Sequence, residues 1–182
     1  MRYPIMTLTA AVLASLAACA SRPAAPPEVP ATQRAPEVPA ALRAPEGETL
    51  FLETRASGVQ IYECTQKPDG AYDWVLKAPE ATLSSADGKP LGKHYGGPTW
   101  EAGDGSTVVG VVKERDPGPT PSAIPWLLLS AKTTSGSGTF GPTKSIQRLS
   151  TVGGVAPHDP CGTTQIGRTV RVPYTASYYF YR

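Results

Sequence analysis

The chain has 182 residues, of which 17 are Lys or Arg and 15 are Asp or Glu, so its formal net charge is +2. This balance, without a basic cluster, argues against nucleic acid as a partner. The 18 glycines and 20 prolines divide the chain into short segments, which favours an all-β domain over a helical bundle.

Residues 1–19 have the layout of a bacterial lipoprotein signal. Arg2 precedes an uncharged apolar stretch, residues 5–18, which is shorter than the roughly 20 residues that a transmembrane helix needs. Small residues before Cys19 predict cleavage after residue 18 and acylation of the Cys19 thiol with fatty acids such as palmitate. The expected location is the cell envelope, on the outer membrane facing the periplasm, because two or more acyl chains anchor firmly. Since Ala18-Cys19-Ala20 is also an A-x-A cleavage site, soluble secretion is the alternative.

A proline-rich segment follows the signal. Residues 22–47 are dense in Pro, Ala and Glu, and a nine-residue repeat begins at Pro27 and again at Pro36. Proline favours the extended polyproline II conformation, so this segment is predicted to be a lipid-anchored tether. The sequence therefore predicts a signal peptide (1–18), a tether (19–37) and a single all-β domain (38–182), with Leu42 giving the start of the domain an apolar contact.

Short apolar or alternating segments predict the strands of this domain. The predicted strands are 59–65, 72–77, 107–114, 126–132, 144–152, 169–172 and 176–181. The turn Pro68-Asp69-Gly70 joins the first two into a hairpin. The near-continuous apolar run 126–132 indicates a strand buried on both faces, and Pro173 separates the last two segments. Many short strands of this kind predict an antiparallel β-sandwich or barrel with long Gly/Pro-rich loops.

The chain has three cysteines. If Cys19 carries the lipid, Cys64 and Cys161 remain as one pair in an oxidising compartment, and this predicts a disulfide. The bond would close a long loop and contribute about 4–5 kcal/mol in the chain-entropy model. Two free buried thiols are the alternative.

The stretch 92–101 carries the most suggestive set of polar and aromatic side chains. His94 and Glu101 are candidate catalytic residues, as an acid/base or ligand-orienting pair around the turn 96–98. Tyr95 and Trp100 are candidate ligand-binding residues, because their rings could stack on a ligand. The alternative is that both rings belong to the core and that His94 caps a loop.

A glycine-rich loop, residues 152–161, contains one further candidate ligand-binding residue, His158, for which a solvated turn is the alternative. The loop has no lysine and opens no helix, so it does not fit a phosphate site. His94 and His158 are the only histidines, and they do not have the spacing of metal ligands. We therefore expect no metal site and no cofactor.

These observations favour a non-enzymatic domain that binds an unknown ligand or protein of the cell envelope. The membrane, reached through the lipid on Cys19, is the other expected partner. An extracytoplasmic enzyme such as a hydrolase, using His94 and Glu101, is the alternative. The G-x-S-x-G motif of many serine hydrolases is absent from the sequence. A purely structural envelope protein is a third possibility.

Several blocks of the domain, taken in order, resemble the family known as domain of unknown function 3455. They are Gln60–Cys64, His94–Glu101, Ile124–Leu128, Arg148 with Thr151–Pro157, and Val172–Tyr181. The resemblance extends over residues 38–182. It implies a secreted or exported protein and supplies no catalytic residues.

Overall fold

The computed structural model describes residues 34–182. The predicted signal peptide, Cys19 and residues 19–33 of the tether lie outside the described residues. Two short 3-10 helices, Ala40–Leu42 and Thr163–Gln165, are the helical elements of the described part. None of its helices has the length and hydropathy of a membrane span.

Eight antiparallel strands form the fold, which confirms the all-β prediction. They are β1 (Leu50–Gln66), β2 (Tyr72–Ser85), β3 (Pro90–Tyr95), β4 (Thr99–Ala102), β5 (Thr107–Asp116), β6 (Trp126–Ser135), β7 (Ser145–Gly153) and β8 (Thr169–Tyr181). Each strand pairs with the next along the chain, and β8 pairs with β1. Of the two architectures that the sequence allowed, the structure is therefore a closed barrel.

The up-and-down order places the loops at two ends of the barrel. The end that we call the mouth carries the loops 67–71, 96–98, 117–125 and 154–168, and the end that we call the base carries the loops 86–89, 103–106 and 136–144. Because side chains alternate along a strand, every second residue points into the lumen. The lumen core contains Ala56, Leu83, Val108, Ile146 and Phe180, among other residues.

The predicted strands exist, but several of them are longer than predicted. The segments 169–172 and 176–181 are parts of the single strand β8, and Pro173 lies inside it, paired with Val59 of β1. On the β7 side the last pair is Gly153 with Tyr174, so the missing N–H of Pro173 interrupts no bond to β7. The first hairpin also extends further than predicted, since β1 continues back through Gly58 to Leu50. At Gly58 the two strands lie close together, and a Cβ there would clash with the carbonyl oxygen of Glu80.

Aromatic side chains fill the lumen at the base. Phe140, from the loop between β6 and β7, is fully buried, and its ring lies 4.8 Å from that of Phe180 on β8. The backbone N–H of Phe140 donates to Ser106 Oγ (3.0 Å). The base is therefore closed by a loop that crosses it.

Asp104 holds this closing loop in place. Its Oδ1 accepts hydrogen bonds from the backbone N–H and the hydroxyl of Ser106 (2.8 and 2.6 Å). Its Oδ2 accepts from the backbone N–H and the hydroxyl of Thr139 (2.8 and 2.7 Å). These bonds, with the Ser106 hydroxyl foremost and the Thr139 hydroxyl next, hold the pKa of Asp104 far below its usual value because they favour the carboxylate.

Residues 38–45 form a strap on the outer wall of the barrel, as the apolar Leu42 suggested. Leu42 is fully buried against Leu128 and Leu149, and its carbonyl oxygen accepts a hydrogen bond from Gln147 Nε2 (2.6 Å). Leu128 lies under the strap, while its neighbours 127 and 129 face the lumen. The prediction of a strand buried on both faces is therefore confirmed for residues 127–129, whereas the end of the predicted run is exposed at Lys132.

The disulfide between Cys64 and Cys161 is confirmed, with its Cα atoms 5.7 Å apart. It fastens the long loop 154–168 at the mouth to the end of β1. The hydroxyl of Tyr62 also donates to the carbonyl oxygen of Gly154 (2.6 Å). Gly154 has a φ of 80°, in the region that favours glycine, so the loop can turn back against the barrel at this point.

Candidate functional site

The upper half of the lumen contains a cavity of about 370 Å³ that opens at the mouth. Its walls come from all eight strands and from the turn 96–98 between β3 and β4. The apolar part of the wall is formed by Leu76, Val112, Leu127 and Leu129. The volume falls at the lower end of the range of small-molecule sites, which is about 300–1,000 Å³.

Three aromatic side chains line the inner end of this cavity. The rings of His94 and Trp100 are stacked, with centroids 4.4 Å apart and planes 17° apart. Tyr178 meets both rings edge-on, at 5.1 Å from His94 and 5.2 Å from Trp100. Trp100 fits beside β5 because Gly110 has no side chain, and a Cβ there would lie 3.0 Å from the indole ring. This aromatic wall separates the cavity from the packed base.

His94 is neutral inside the barrel. The ring is 2% exposed, and its Nδ1 lies 2.9 Å from the carbonyl oxygen of Thr99. Burial lowers the pKa of His94 to about 3, the Thr99 carbonyl opposes this change, and the charge of Arg148 adds to it. Because the carbonyl can only accept, Nδ1 carries the hydrogen and Nε2 keeps a lone pair.

Two arginine side chains belong to the wall of the cavity. Leu127 of β6 pairs with Arg115 of β5 on one side and with Arg148 of β7 on the other, so the three residues point to the same face. Arg148 is half-buried, whereas Arg115 is exposed at the mouth. The Nε and Nη2 groups of Arg148 donate to the carbonyl oxygen of Pro125 (3.2 and 2.8 Å). Within residues 34–182, neither guanidinium is paired with a carboxylate.

Gln60, on β1, is a further polar residue of the inner wall. It is 1% exposed, and neither its Oε1 nor its Nε2 has a hydrogen-bond partner among the described residues. The same holds for Trp100 Nε1. Buried polar groups are normally hydrogen-bonded, so these atoms, which are themselves buried, mark the polar part of the wall next to the cavity.

A family model with the description "Protein of unknown function (DUF3455)" matches residues 45–182. The chain belongs to this family. Comparison with curated proteins and with solved structures gives no significant match in either case. The resemblance noted in the sequence is thus confirmed, and the match covers the whole barrel, β1 to β8.

The structure does not bring His94 and Glu101 together. The register pairs Lys93 with Glu101 and His94 with Trp100, so neighbouring positions face opposite sides. Glu101 is on the outer wall, where it accepts a hydrogen bond from the Tyr95 hydroxyl (2.8 Å) and pairs with Lys93 Nζ (3.1 Å). An acid/base pair of His94 and Glu101 therefore has no geometric support.

The three predicted ligand-binding residues occupy different places. Trp100 lines the cavity, and this is consistent with a binding role as well as with the alternative that it belongs to the core. Tyr95 lies on the outer wall beside Glu101. His158 is exposed in the loop between β7 and β8. Within residues 34–182, no group of three or more His, Cys, Asp or Glu residues is arranged to hold a metal ion.

Sequence reasoning missed Arg148 and Gln60 as site residues. A signal was present, because Arg148 has the same parity in its strand as the apolar Ile146, and Gln60 lies in an alternating segment between residues of the core. Alternation alone does not say which parity faces inward. That assignment became possible only when the barrel closed around both residues.

Proposed function

We propose that the barrel binds a small and largely apolar molecule in the upper half of its lumen. The observation that carries this proposal is the asymmetry of the lumen. Phe140 and Phe180 fill the base, whereas the mouth opens into a cavity of about 370 Å³ with leucine and valine side chains on its wall. Apolar concave sites with a few polar groups are the usual form of small-molecule sites in proteins.

The binding function fits the cavity better than catalysis does. In the described part of the chain, the cavity has no acidic residue and no serine, threonine or cysteine in its lining. His94 is the titratable base of the cavity, but its low pKa makes it a weak proton acceptor at neutral pH. The hydrolase alternative rested on His94 with Glu101, and these two side chains face opposite sides of the barrel wall.

The location of this activity is also a proposal, supported by the sequence. Cys19 follows small residues and precedes a proline-rich tether, so we propose that acyl chains on Cys19 hold the barrel at the outer membrane, facing the periplasm. Mass spectrometry of the mature protein from membrane fractions should find Cys19 as an acylated N-terminal residue. A soluble mature protein that begins at Ser21 would refute the anchor and leave the binding proposal unaffected.

Binding in the lumen can be tested with a cavity-filling substitution and a matched control. Val112 lines the cavity, while its neighbour Val111 is 45% exposed on the outer wall. In Val112→Phe the added ring occupies the cavity, whereas in Val111→Phe it points to solvent. We expect the neutral fluorescent probe N-phenyl-1-naphthylamine to bind the wild type and Val111→Phe, and to bind Val112→Phe at least about tenfold more weakly, a loss of about 1.4 kcal/mol.

Two outcomes would contradict the proposal. One is that the wild type does not enhance the fluorescence of the probe. The other is that Val112→Phe, shown by circular dichroism to be folded, binds the probe as tightly as Val111→Phe does. The second result would mean that the probe binds the surface and not the lumen.

A further inference from the structure

We propose that the ligand of the lumen carries a carboxylate, and that Arg148 holds this carboxylate inside the barrel. This inference rests on the proposed function, since it names the chemical class of the molecule that the cavity binds. It assigns a role to the guanidinium of Arg148, which the apolar cavity alone does not explain.

The position of Arg148 is the first argument. The side chain is half-buried in the wall of the cavity, where a charge is normally paired because its desolvation is costly. Its contact with the carbonyl of Pro125 uses Nε and Nη2, and no carboxylate within residues 34–182 forms an ion pair with it. Of the remaining N–H groups of the fork, one faces the hydroxyl of Tyr178, which pairs with Arg148 across β7 and β8, and the others are available to an anion.

The other polar groups of the inner wall are the second argument. Gln60 Nε2 and Trp100 Nε1 are hydrogen-bond donors that lack a partner among the described residues, and both side chains are 1% exposed. Among residues 34–182, no acidic side chain lines the cavity. Gln60 Oε1, an acceptor, also lacks a partner among these residues, so the preference for an anion comes from the cations of the wall together with the lack of described carboxylates in it.

Arg115 adds a second positive charge at the mouth. It is exposed and lies on the same face as Arg148, with Leu127 between them. A cation at the entrance raises the local concentration of anions and so speeds their association. We expect Arg115 to affect the association rate of an anionic ligand more than its residence time.

The cavity favours a carboxylate over a phosphate monoester. The planar guanidinium fork matches the two oxygens of a carboxylate and neutralises its single charge. A phosphate monoester carries about two charges near neutral pH. Among the described cations of the wall, Arg148 is half-buried, whereas Arg115 and Lys77 are exposed, and Lys77 is paired with Glu63. The second charge would remain uncompensated beside Leu127 and Leu129, where desolvation is unfavourable.

Three naphthalene compounds with the same apolar body separate these possibilities: 2-naphthoate, its neutral isostere 2-naphthamide, and 2-naphthyl phosphate. The affinity of each compound is measured by its displacement of N-phenyl-1-naphthylamine from three proteins: the wild type, Arg148→Met and Arg171→Gln. Arg148→Met keeps a long side chain and removes the charge. Arg171→Gln removes a cation from the outer surface, where Arg171 pairs with Glu80, and serves as the matched control.

We expect the wild type and Arg171→Gln to bind 2-naphthoate about 10- to 100-fold more tightly than 2-naphthamide, the range of charge-assisted hydrogen bonds. In Arg148→Met the two compounds should bind about equally, and the neutral probe should still bind. A preference for the naphthoate that survives in Arg148→Met would overturn the role of Arg148. Tighter binding of the phosphate than of the naphthoate would overturn the assignment of a carboxylate.

The two proposals fail in distinguishable ways. If the neutral probe does not bind the wild type, the binding function itself fails. If the probe binds but naphthoate and naphthamide compete equally, only the carboxylate inference fails.

A measurement on the wild type decides the case in which Arg148→Met does not fold. The carboxyl carbon of ¹³C-labelled 2-naphthoate is followed by NMR as the pH is lowered. Pairing with Arg148 predicts that the carboxyl group of the bound compound titrates at a lower pH than that of the free compound. A higher titration pH would show an unpaired, buried carboxyl group and would refute the inference.

Discussion

Lowering the pH from 7 to 5 should destabilise the barrel through His94. The ring is buried against Trp100 and Tyr178, and burial, the largest cause, lowers the pKa of His94 to about 3. In the unfolded chain a histidine titrates near pH 6.5. Below this value the unfolded state takes up a proton that the folded state does not bind, so each further unit of pH favours unfolding until the folded pKa is reached.

The magnitude follows from the linkage relation. Each unit of pH below the unfolded pKa changes the free energy of unfolding by about 1.4 kcal/mol per proton. Between pH 7 and pH 5 the contribution of His94 is therefore about 2 kcal/mol. In His94→Gln the position has no titratable group, and this contribution should disappear whatever the absolute stability of the variant is.

Urea unfolding at several pH values, followed by circular dichroism, measures this effect. The wild type and the control variant His158→Gln, which alters an exposed loop residue, should both lose stability as the pH falls from 7 to 5. His94→Gln should show a loss that is smaller by about 2 kcal/mol. Two results would refute the conclusion that His94 is neutral in the folded protein. One is the same pH dependence of stability in His94→Gln and in the wild type, and the other is an NMR titration of His94 between pH 5 and pH 7.

Three further predictions concern the parts that hold the barrel together. Removing the disulfide in a Cys64→Ala/Cys161→Ala variant should lower the free energy of unfolding by about 4–5 kcal/mol. In urea titrations, adding a thiol reductant should destabilise the wild type and leave this variant unchanged. Leu42→Ala should lower the free energy of unfolding by about 2–5 kcal/mol and speed tryptic cleavage at Arg43 in the strap. The control Ile166→Ala, at an exposed position, should stay within about 0.5 kcal/mol of the wild type. Unchanged cleavage and stability in Leu42→Ala would show that the strap does not depend on Leu42. Asp104→Asn should lower the melting temperature at pH 7. The difference from the wild type should shrink as the pH falls, because a carboxyl group with a depressed pKa stabilises the fold only while it is ionised. A difference in melting temperature that does not change with pH would contradict this role of Asp104.

Local features of the sequence predicted most of the strands. Alternating residues in 59–65 and the apolar run 126–132 became parts of β1 and β6, because side-chain alternation is a property of a single strand. The disulfide was predicted by elimination among three cysteines. The short strands β3 and β4 were not predicted as strands, since the block 92–101 was examined as a candidate site and the turn 96–98 suggested a bend.

The candidate site was predicted only in part. Trp100 and His94 were named from their residue types, and both line the cavity. Their supposed partner Glu101 faces outward, because one step along a strand reverses the direction of a side chain. Arg148 was not named as a site residue, because its role depends on the carbonyl of Pro125 and on the strands that surround it.

The sequence by itself determined the strand-rich composition, the cysteine pair and the apolar contact of Leu42, since each of these depends on residue type and short spacing. Only the tertiary structure decided that β8 pairs with β1 to close the barrel, a contact between opposite ends of the domain. Closure also decided which parity of each strand faces the lumen. Where the strap covers the outer wall, an apolar residue is buried on either face of the strand. Leu128 is buried under the strap, while Leu127 and Leu129 are buried in the lumen, so hydrophobicity does not distinguish the two faces. The cavity exists because eight strands close around one axis, and this closure turns Arg148, which forms no ion pair within residues 34–182, toward the lumen.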